Sequence, residues 1–471
     1  MSGSDDYFMG NDEMQNELVE RFLNSIKYNS NEYFEPEELE IIIEALMQNE
    51  DYDNAKHAID FGLQIYPDNE EILLLNIRYN LDEGLLNVAE KLSNEFLNIY
   101  PENSEGYYML GSVYSDMGQH NEAVAMFEKA IDIDPEAEHV IIALSMEYHF
   151  VGKYRKSIDT TKQILNKNPD SELAINQLMF IYQTYDEINE AVIFLRDFTD
   201  KNPLNYLAWF HLANMLNINN EWHKAIEAYD FALAIEPDFS LAIYGKGRSY
   251  MFAGDIVKAA ECFYETSFVD DLRAVSFLAL GDAYSQMNNY SKATEFYLKS
   301  IEADPDFVDP EMGLAYCLYM MNLEEEALRH VDKVILKEPE RSEAHNLKGN
   351  ILVDLDEFYQ GILSFRNALK YDKELEDAWL DMSEAYHFVE GPEKALEVIN
   401  EAEEVMENNN PLIAYRKAAL LFELGRNQEA ISQLFNGLSL NPDLYTTMYS
   451  YNKDLEKNEI IQEIVTMFLN Q

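Results

Sequence analysis

Histidines and carboxylates are the residues of this chain that could do chemistry, as metal ligands or as general acids and bases. The nine histidines are scattered over different predicted helices and turns. His149 and His387 lie in two similar stretches, EYHFVG and AYHFVE. These stretches indicate either a shared metal or ligand site or, as we favour, divergence from one ancestral unit. With no phosphate loop, H-E-x-x-H pair or G-x-S-x-G elbow, the sequence predicts no catalytic residues, no metal and no cofactor.

The charge of the 471-residue chain is strongly acidic, with 34 Lys+Arg against 88 Asp+Glu and a net charge of −54. Such a surface repels phosphate backbones and anionic membranes and attracts basic partners. The sequence contains no run of about 18 apolar residues and no signal peptide pattern. Its two cysteines, Cys262 and Cys317, lack ligand-type spacing and favour a reducing compartment. We therefore expect a cytoplasmic protein that neither binds nucleic acid nor inserts into membranes.

A period of 34 residues runs through most of the sequence. Prolines mark it at Pro67, Pro101, Pro135, Pro169, Pro203, Pro237, Pro305 and Pro339, and Asp271 stands where another proline is predicted. Alanines keep the same period at Ala55, Ala89, Ala123, Ala191, Ala225, Ala259, Ala293, Ala327 and Ala395, and Ser157 and Gly361 fill the gaps. A period of this length indicates stacked supersecondary units that bury a continuous core between them.

The pattern resembles the tetratricopeptide repeat, a helix–turn–helix unit. Its residues are most complete in one stretch, as Tyr107, Leu110, Gly111, Tyr114, Ala123, Phe127, Ala130 and Pro135. The resemblance covers residues 36–444 in twelve units, which start near residues 36, 70, 104, 138, 172, 206, 240, 274, 308, 342, 376 and 411. It implies an all-α fold, a right-handed superhelical α-solenoid of about twelve repeats with terminal capping helices. We expect a disordered acidic tail over residues 1–13 and capping helices over 14–35 and 445–471.

Small residues at the eighth position of most units predict close packing of the two helices. Gly111 costs about 0.5–1 kcal/mol relative to alanine in a helix, and we expect it to let the first helix approach Ala123. Ile43, Ile77 and Met179 are large at this position, which predicts looser or more oblique packing in units 1, 2 and 5. Gly361 and one extra residue around 408–410 predict a bend or weak joint near 360–411.

The resemblance also implies that the first helix of each unit lines a concave groove, the surface that such stacks use for binding. Units 4 to 7 supply aromatic, methionine, amide and basic side chains to it. The candidate binding residues are His149, Phe150, Asn176, Phe180, Phe210, Asn214, Tyr244, Arg248, Met251 and Phe252. Asparagine amides would hold a peptide backbone, aromatic rings would pack against its side chains, and Arg248 would meet an acid. The alternative for each aromatic is that it covers the next helix pair.

These features predict a non-catalytic scaffold or adaptor that binds a peptide segment of a partner protein in the groove. The bound segment would be extended or helical, and it could be basic. The alternative is a chaperone-like holder that binds a basic client through its acidic outer surface, and high salt would weaken only that mode. Self-assembly through the 455–469 helix is a third possibility, so the sequence leaves the oligomeric state open.

Overall fold

The computed structural model describes residues 5–28, 32–407 and 409–469, and within them every regular element is helical. Helix α1 (Asp5–Tyr28) precedes twelve helix pairs, which we number repeats 1 to 12. In order, the pairs are α2 (Pro36–Gln48) and α3 (Tyr52–Ile65), α4 (Glu70–Asp82) and α5 (Leu86–Ile99), α6 (Ser104–Asp116) and α7 (His120–Ile133), α8 (Glu138–Phe150) and α9 (Tyr154–Lys167), α10 (Glu172–Thr184) and α11 (Ile188–Lys201), α12 (Tyr206–Ile218) and α13 (Trp222–Ile235), α14 (Ser240–Phe252) and α15 (Ile256–Thr266), α16 (Arg273–Gln286) and α17 (Tyr290–Ala303), α18 (Asp309–Met320) and α19 (Glu324–Lys337), α20 (Ser342–Asp354) and α21 (Phe358–Tyr371), α22 (Glu376–Glu390) and α23 (Pro392–Val405), and α24 (Pro411–Glu423) and α25 (Asn427–Leu440). The chain is an all-α repeat solenoid, as the sequence predicted.

The helices form two compact bodies, each with its own buried core. The amino-terminal body comprises Met1–Glu221 and Asp230–Glu236, and the carboxyl-terminal body comprises Trp222–Tyr229 and Pro237–Gln471. Repeats 1 to 5 therefore belong to the first body and repeats 7 to 12 to the second. In each body, alanines and large aliphatic side chains of consecutive helices pack into continuous clusters.

Repeat 3 shows how local sequence sets the ends of the helices. The Asn103 side chain accepts a hydrogen bond from the Gly106 N–H at 2.6 Å and caps the start of α6. Gly118, with φ of 71°, makes the turn between α6 and α7, a conformation that costs glycine little. Pro135 follows the end of α7, because proline cannot continue a helix. Where Asp271 replaces the proline, α15 ends earlier, at Thr266, and a 3-10 turn (Asp270–Leu272) leads into α16.

Gly111 makes room for an aromatic ring. A Cβ atom on Gly111 would lie 2.6 Å from Cε1 of Phe127, a side chain that is 2% exposed. Gly247 stands in the same relation to Phe263, with a distance of 2.7 Å. The expected close approach of the two helices is confirmed: the three atoms nearest to a Cβ on Gly111 all belong to Phe127 on the second helix. The approach to Ala123 itself stays a prediction. The ring fills the space that a larger residue at position 111 would occupy.

The three repeats with a large residue at this position differ from the others in the way that looser or more oblique packing predicts. Ile43, Ile77 and Met179 are all buried. Within each of repeats 1, 2 and 5, the two helices lie close together over a shorter stretch than in the other repeats. Repeat 6, whose two helices are divided between the bodies, is left out of this comparison. At Gly361, by contrast, an added Cβ would lie 2.9 Å from the Gly349 carbonyl oxygen, so the helices are in close contact there. The bend near 360–411 stays a prediction, and residue 408 lies outside the described residues.

We expect Gly111→Ala to lower the free energy of unfolding by about 1–2 kcal/mol, because overpacking against Phe127 outweighs the gain in helix propensity. Urea denaturation followed by circular dichroism measures the loss. The control is the same substitution in a Phe127→Leu background, where the smaller side chain leaves more room and the cost should shrink. Equal losses in both backgrounds would mean that the ring is not what excludes a side chain at position 111.

At the amino-terminal end, α1 packs on repeat 1 through its apolar stripe. Leu18 and Phe22 are buried, and the Phe22 ring meets the Phe34 ring edge-on at 5.6 Å between centroids. Ile26, from the same stripe, is 41% exposed. The helix begins at Asp5 instead of near residue 14, and residues 1–4 of the predicted tail lie outside the described residues.

At the carboxyl-terminal end, the structure has two helices where the sequence predicted one capping helix over 445–471. Helix α26 (Thr447–Tyr451) follows a 3-10 turn at Pro442–Leu444, and a second such turn at Lys453–Lys457 separates it from α27 (Glu459–Leu469). Residues 470–471 lie outside the described residues. Asn441 and Asn452, whose side chains accept backbone hydrogen bonds two residues on, mark the breaks. Such local bonds compete with helix continuation.

Candidate functional site

The predicted residues of repeats 4 and 5 form an aromatic cluster in the amino-terminal body. The His149 ring lies 5.5 Å from the Phe180 ring and 5.5 Å from the Tyr185 ring. Phe150 stacks on His120 at 4.8 Å and remains 54% exposed, and Phe180 is 46% exposed. His149, Phe150 and Phe180 therefore share one surface, in which the two phenylalanines present open faces and His149 fills the space between neighbouring rings.

The two predicted asparagines have different surroundings. The Asn176 side-chain oxygen bonds His211 Nε2 at 2.8 Å, so this amide already has a partner on the next repeat. Burial lowers the pKa of His211 to about 4, so the ring is neutral at physiological pH and can donate this bond. Phe210 and Asn214 lie on α12 and are half-buried. The role of these asparagines in holding a peptide backbone stays a prediction.

In the carboxyl-terminal body, all four predicted residues of repeat 7 line one cavity. Its volume is 560 Å³, and Tyr244, Arg248, Met251 and Phe252 form one of its walls. These residues share one face of α14, because positions i, i+4, i+7 and i+8 of a helix align. The structure therefore brings together four of the ten predicted residues in a concave site of the size that suits ligands.

The opposite wall and the floor of the cavity come from repeats 8 and 9. Helix α16 contributes Asp282, and α18 contributes Tyr316 and Gly313. The buried Tyr297 ring forms the floor, and a Cβ atom on Gly313 would lie 2.5 Å from its Cζ atom. Glycine at position 313 thus admits the ring and keeps the cavity open above it.

The cavity contains one cationic and one anionic side chain. Arg248 is exposed and lies over the Phe252 ring at 5.9 Å. The Tyr297 hydroxyl donates a hydrogen bond to Asp282 Oδ1 at 2.7 Å, while burial raises the pKa of the Asp282 carboxyl above its usual range. Burial likewise raises the pKa of Tyr244, and Arg248 opposes this shift. The site can therefore offer a cation, a carboxyl group and aromatic surface to one guest.

Sequence reasoning missed Asp282 and Tyr297, although one signal pointed to Asp282. It occupies the ninth position of its repeat, as Asn214 and Tyr316 do in theirs, so the same positional rule applied to repeat 8 would have included it. Tyr297 lies on the second helix of its repeat, which the rule does not cover. Only the packing at Gly313 reveals that its ring reaches the cavity.

The two similar histidine stretches do not share an environment. His149 packs among rings, whereas His387 Nε2 lies 3.0 Å from Glu423 Oε2. In the part of the chain that the structure describes, no group of three or more His, Cys, Asp or Glu side chains could hold a metal ion. None of the described helices combines the length and the apolar character that crossing a membrane requires.

Solved structures with similar folds include Cut9–Hcn1, the APC/C hetero-tetramer, at 12% identity and a TM-score of 0.42 over 84% of this chain and 97% of that one. YrrB, described as a TPR protein with an unusual peptide-binding site, is 19% identical with a TM-score of 0.33 over 39% of this chain and 95% of that one.

Curated relatives include the mouse N-alpha-acetyltransferase 16, NatA auxiliary subunit, which is 22% identical over 56% of this chain and 31% of its own length. A TPR repeat-containing protein of Methanocaldococcus jannaschii is 24% identical over 54% of this chain and 48% of its own length. The chain thus spans less than half the length of these relatives.

Two models of the tetratricopeptide repeat family match the chain directly, one at residues 104–136 and one at residues 284–351. The first range contains the stretch in which the sequence motif is most complete. The second lies within repeats 8 to 10 and includes the cavity residues of α18. With twelve helix pairs in the predicted frame, these matches show that the chain contains tetratricopeptide repeats.

Proposed function

We propose that the chain is a non-catalytic interaction scaffold that binds a peptide segment of a partner protein in the cavity between α14, α16 and α18. Tetratricopeptide repeat proteins act as protein-interaction scaffolds. The mouse relative is named an auxiliary subunit, which is consistent with a role through partners. The aromatic cluster around His149 in the amino-terminal body stays a second predicted binding surface.

The observation that carries the proposal is the 560 Å³ cavity with Tyr244, Arg248, Met251 and Phe252 on one wall. Its aromatic rings give contact area at low cost in side-chain entropy, and the flexible Met251 side chain can adapt to the shape of a guest. Arg248 can bind a carboxylate of the guest, and Asp282 can accept a backbone N–H. A peptide that inserts one apolar side chain and places an acidic one beside Arg248 would use each of these groups.

We expect Tyr316→Ala to weaken the binding of a selected peptide about 10- to 100-fold, since truncating an aromatic anchor at the centre of an interface has effects of this size. Random linear peptides displayed on phage and selected on the intact protein supply the ligand. Isothermal titration calorimetry of the best synthetic peptide then gives Kd for the wild type and the variant.

The matched control is Tyr264→Ala in the same body. Tyr264 is 55% exposed and has an edge-on partner in Phe268, as the 44% exposed Tyr316 has in Tyr290, but it does not line the cavity. Its substitution should leave Kd unchanged. Peptides that bind both variants equally and dissociate in about 0.5 M NaCl, where charge interactions are screened within a few ångströms, would instead support the acidic outer surface as the binding site.

A further inference from the structure

A second cavity in the carboxyl-terminal body has a different chemistry. Its volume is 440 Å³, and α18, α20, α21 and α22 supply its walls. Four carboxylates line it: Asp354, Asp356, Asp381 and Glu384. None of the described residues that line this acidic cavity is a lysine or an arginine. The cavity is therefore anionic without a cation of its own.

Hydrogen-bond donors are scarce around these carboxylates. The Tyr319 hydroxyl donates to Asp354 Oδ2 at 2.8 Å, and Asn350 Nδ2 donates to Asp381 Oδ2 at 3.0 Å. A carboxylate can accept about four hydrogen bonds, so most acceptor positions remain open. Asn346, whose Nδ2 lies 3.5 Å from Asp381 Oδ2, has a buried side-chain oxygen with no donor among the described residues. A guest with several N–H donors would satisfy this shortage.

Negative charge exceeds positive charge around Asp381. Burial, reinforced by the negative charges of Asp377 and Glu384, raises the pKa of Asp381 to about 6, although Asn350 and Asn346 hydrogen bonds oppose the shift. The resident cation nearby, Arg416, is 2% exposed and does not line the cavity, although its charge interacts with Glu384 and its Nη2 atom has no hydrogen-bond partner among the described residues. Its Nε atom donates to Ser383 Oγ at 3.3 Å and its guanidinium lies 4.5 Å from the Tyr451 ring centroid. It therefore does not fill the cavity.

The rim of the acidic cavity carries an open aromatic surface. Phe358 and Phe388 stack at 4.7 Å with an interplanar angle of 16°, and Phe388 is 75% exposed. An exposed ring beside carboxylates is a suitable surface for a planar cation, because a guanidinium stacks on rings and donates to carboxylates at once. An ammonium ion gains less here, since it is compact and more strongly hydrated.

We propose that the acidic cavity binds the arginine side chain of a basic segment in a partner protein. The guanidinium donates to Asp381 and Asp354 and stacks on Phe388, and the net charge of −54 draws basic partners toward the chain. This site is separate from the cavity at Tyr244 and does not depend on the function proposed for it.

The test uses N-acetyl-arginine methylamide as the probe, with the lysine and norleucine analogues beside it, titrated into the full chain and followed by ligand-observed NMR. We expect the arginine probe to bind with Kd of about 1 mM, as a single side chain would. The double substitution Asp354→Asn and Asp381→Asn should raise Kd at least about tenfold, because two charge-assisted hydrogen bonds are lost. The norleucine analogue should not bind.

The matched control is Glu340→Gln with Glu401→Gln, which removes the same charge from two exposed residues of the same body and should leave Kd unchanged. Equal weakening by both double variants would overturn the site in favour of general surface charge. Equal binding of the lysine probe would overturn the assignment to arginine. Circular dichroism verifies that each variant is folded. Tyr316→Ala should not change binding of the arginine probe, so failure here and failure of the proposed peptide site are distinguishable.

Discussion

Replacing Phe365 with alanine is expected to lower the free energy of unfolding by about 3–5 kcal/mol, the usual cost of emptying a buried phenylalanine site. Phe365 has no exposed surface and belongs to the core of repeats 10 to 12. Its ring lies directly against Gly349 of the preceding helix. A glycine cannot move a side chain into the vacated space, so the cavity would collapse only in part and the loss should lie in the upper half of this range.

Urea denaturation followed by circular dichroism measures this loss. Each repeat of a solenoid contacts mainly its neighbours, so the change should appear in the transition of the carboxyl-terminal body, and a single two-state fit need not describe the whole chain. Tyr359→Ala is the control, because Tyr359 lies on the same helix and is 65% exposed, where substitutions usually change stability by less than about 0.5 kcal/mol. A loss at Phe365 no larger than that of the control would show that the ring is not packed in solution.

The starts and ends of the repeats could be predicted from sequence because the residues that end helices act only on their immediate neighbours in the chain. The predicted starts at residues 36, 70 and 104 agree with α2, α4 and α6. The predicted start at residue 274 differs by only one residue from the observed start of α16 at Arg273, although Asp271 replaces the proline that precedes most repeats. Proline, turn glycines and capping asparagines act within a few residues of where they stand, so their spacing carries the information.

The partners across helix pairs were harder to predict. Small residues at Gly111 and Ala123 indicate that two helices come close, but not which side chains fill the contact. That depends on the crossing angle and on the direction of each Cβ atom, which placed Phe127 against Gly111. The carboxyl-terminal end was predicted as one helix because its apolar periodicity is strong, whereas Asn441 and Asn452 break it through local hydrogen bonds.

The two cavities differ in how far the sequence could reveal them. Tyr244, Arg248, Met251 and Phe252 share a helix face, so a positional rule found them together. In the acidic cavity, Asn350 and Glu384 stand at the ninth positions of repeats 10 and 11, but a chain with 88 acidic residues makes nearby carboxylates uninformative. What distinguishes Asp381 from the others is its burial beside Asp354 and Glu384, which four different helices create. Burial of this kind is a property of the packed structure alone.

Asp381→Asn is expected to raise the free energy of unfolding at pH 7.5 by on the order of 2 kcal/mol. Burial raises the pKa of Asp381 in the folded protein to about 6, above the ordinary value of 3.8. Between these values the folded state binds more protons than the unfolded state, so wild-type stability falls as the pH rises from about 4 to 6 and stays reduced above. The amide has no such charge, and its side-chain oxygen can still accept the hydrogen bond that Asn350 Nδ2 donates to Asp381 Oδ2.

Urea denaturation at a series of pH values checks this sign, with the difference between variant and wild type as the observable. The gain should vanish near pH 4 and reach its full size above about pH 6.5. The titratable groups around Asp381 are Asp377 and Glu384 on its own helix, Asp354 on α20 and Tyr451 on α26, and the cation Arg416 on α24 interacts with Glu384 and Tyr451. Their own titrations cancel in the difference to first order. Glu401→Gln, an exposed carboxylate on the same body, should show no pH-dependent gain.

A gain in stability together with a loss of arginine binding would connect the two results. Replacing a carboxylate that stabilises the fold would lower the free energy of unfolding. A buried, charged carboxylate that serves to bind a guest instead lowers the free energy of unfolding as long as no guest is bound. Arginine should therefore stabilise wild type more at pH 7.5 than at pH 5, because protonated Asp381 no longer offers a full charge. If Asp381→Asn instead destabilised the protein at every pH, the role of Asp381 would be structural, through the hydrogen bonds that it accepts from Asn350 and Asn346. The acidic cavity would then be a structural feature of repeats 9 to 11 and not a binding site.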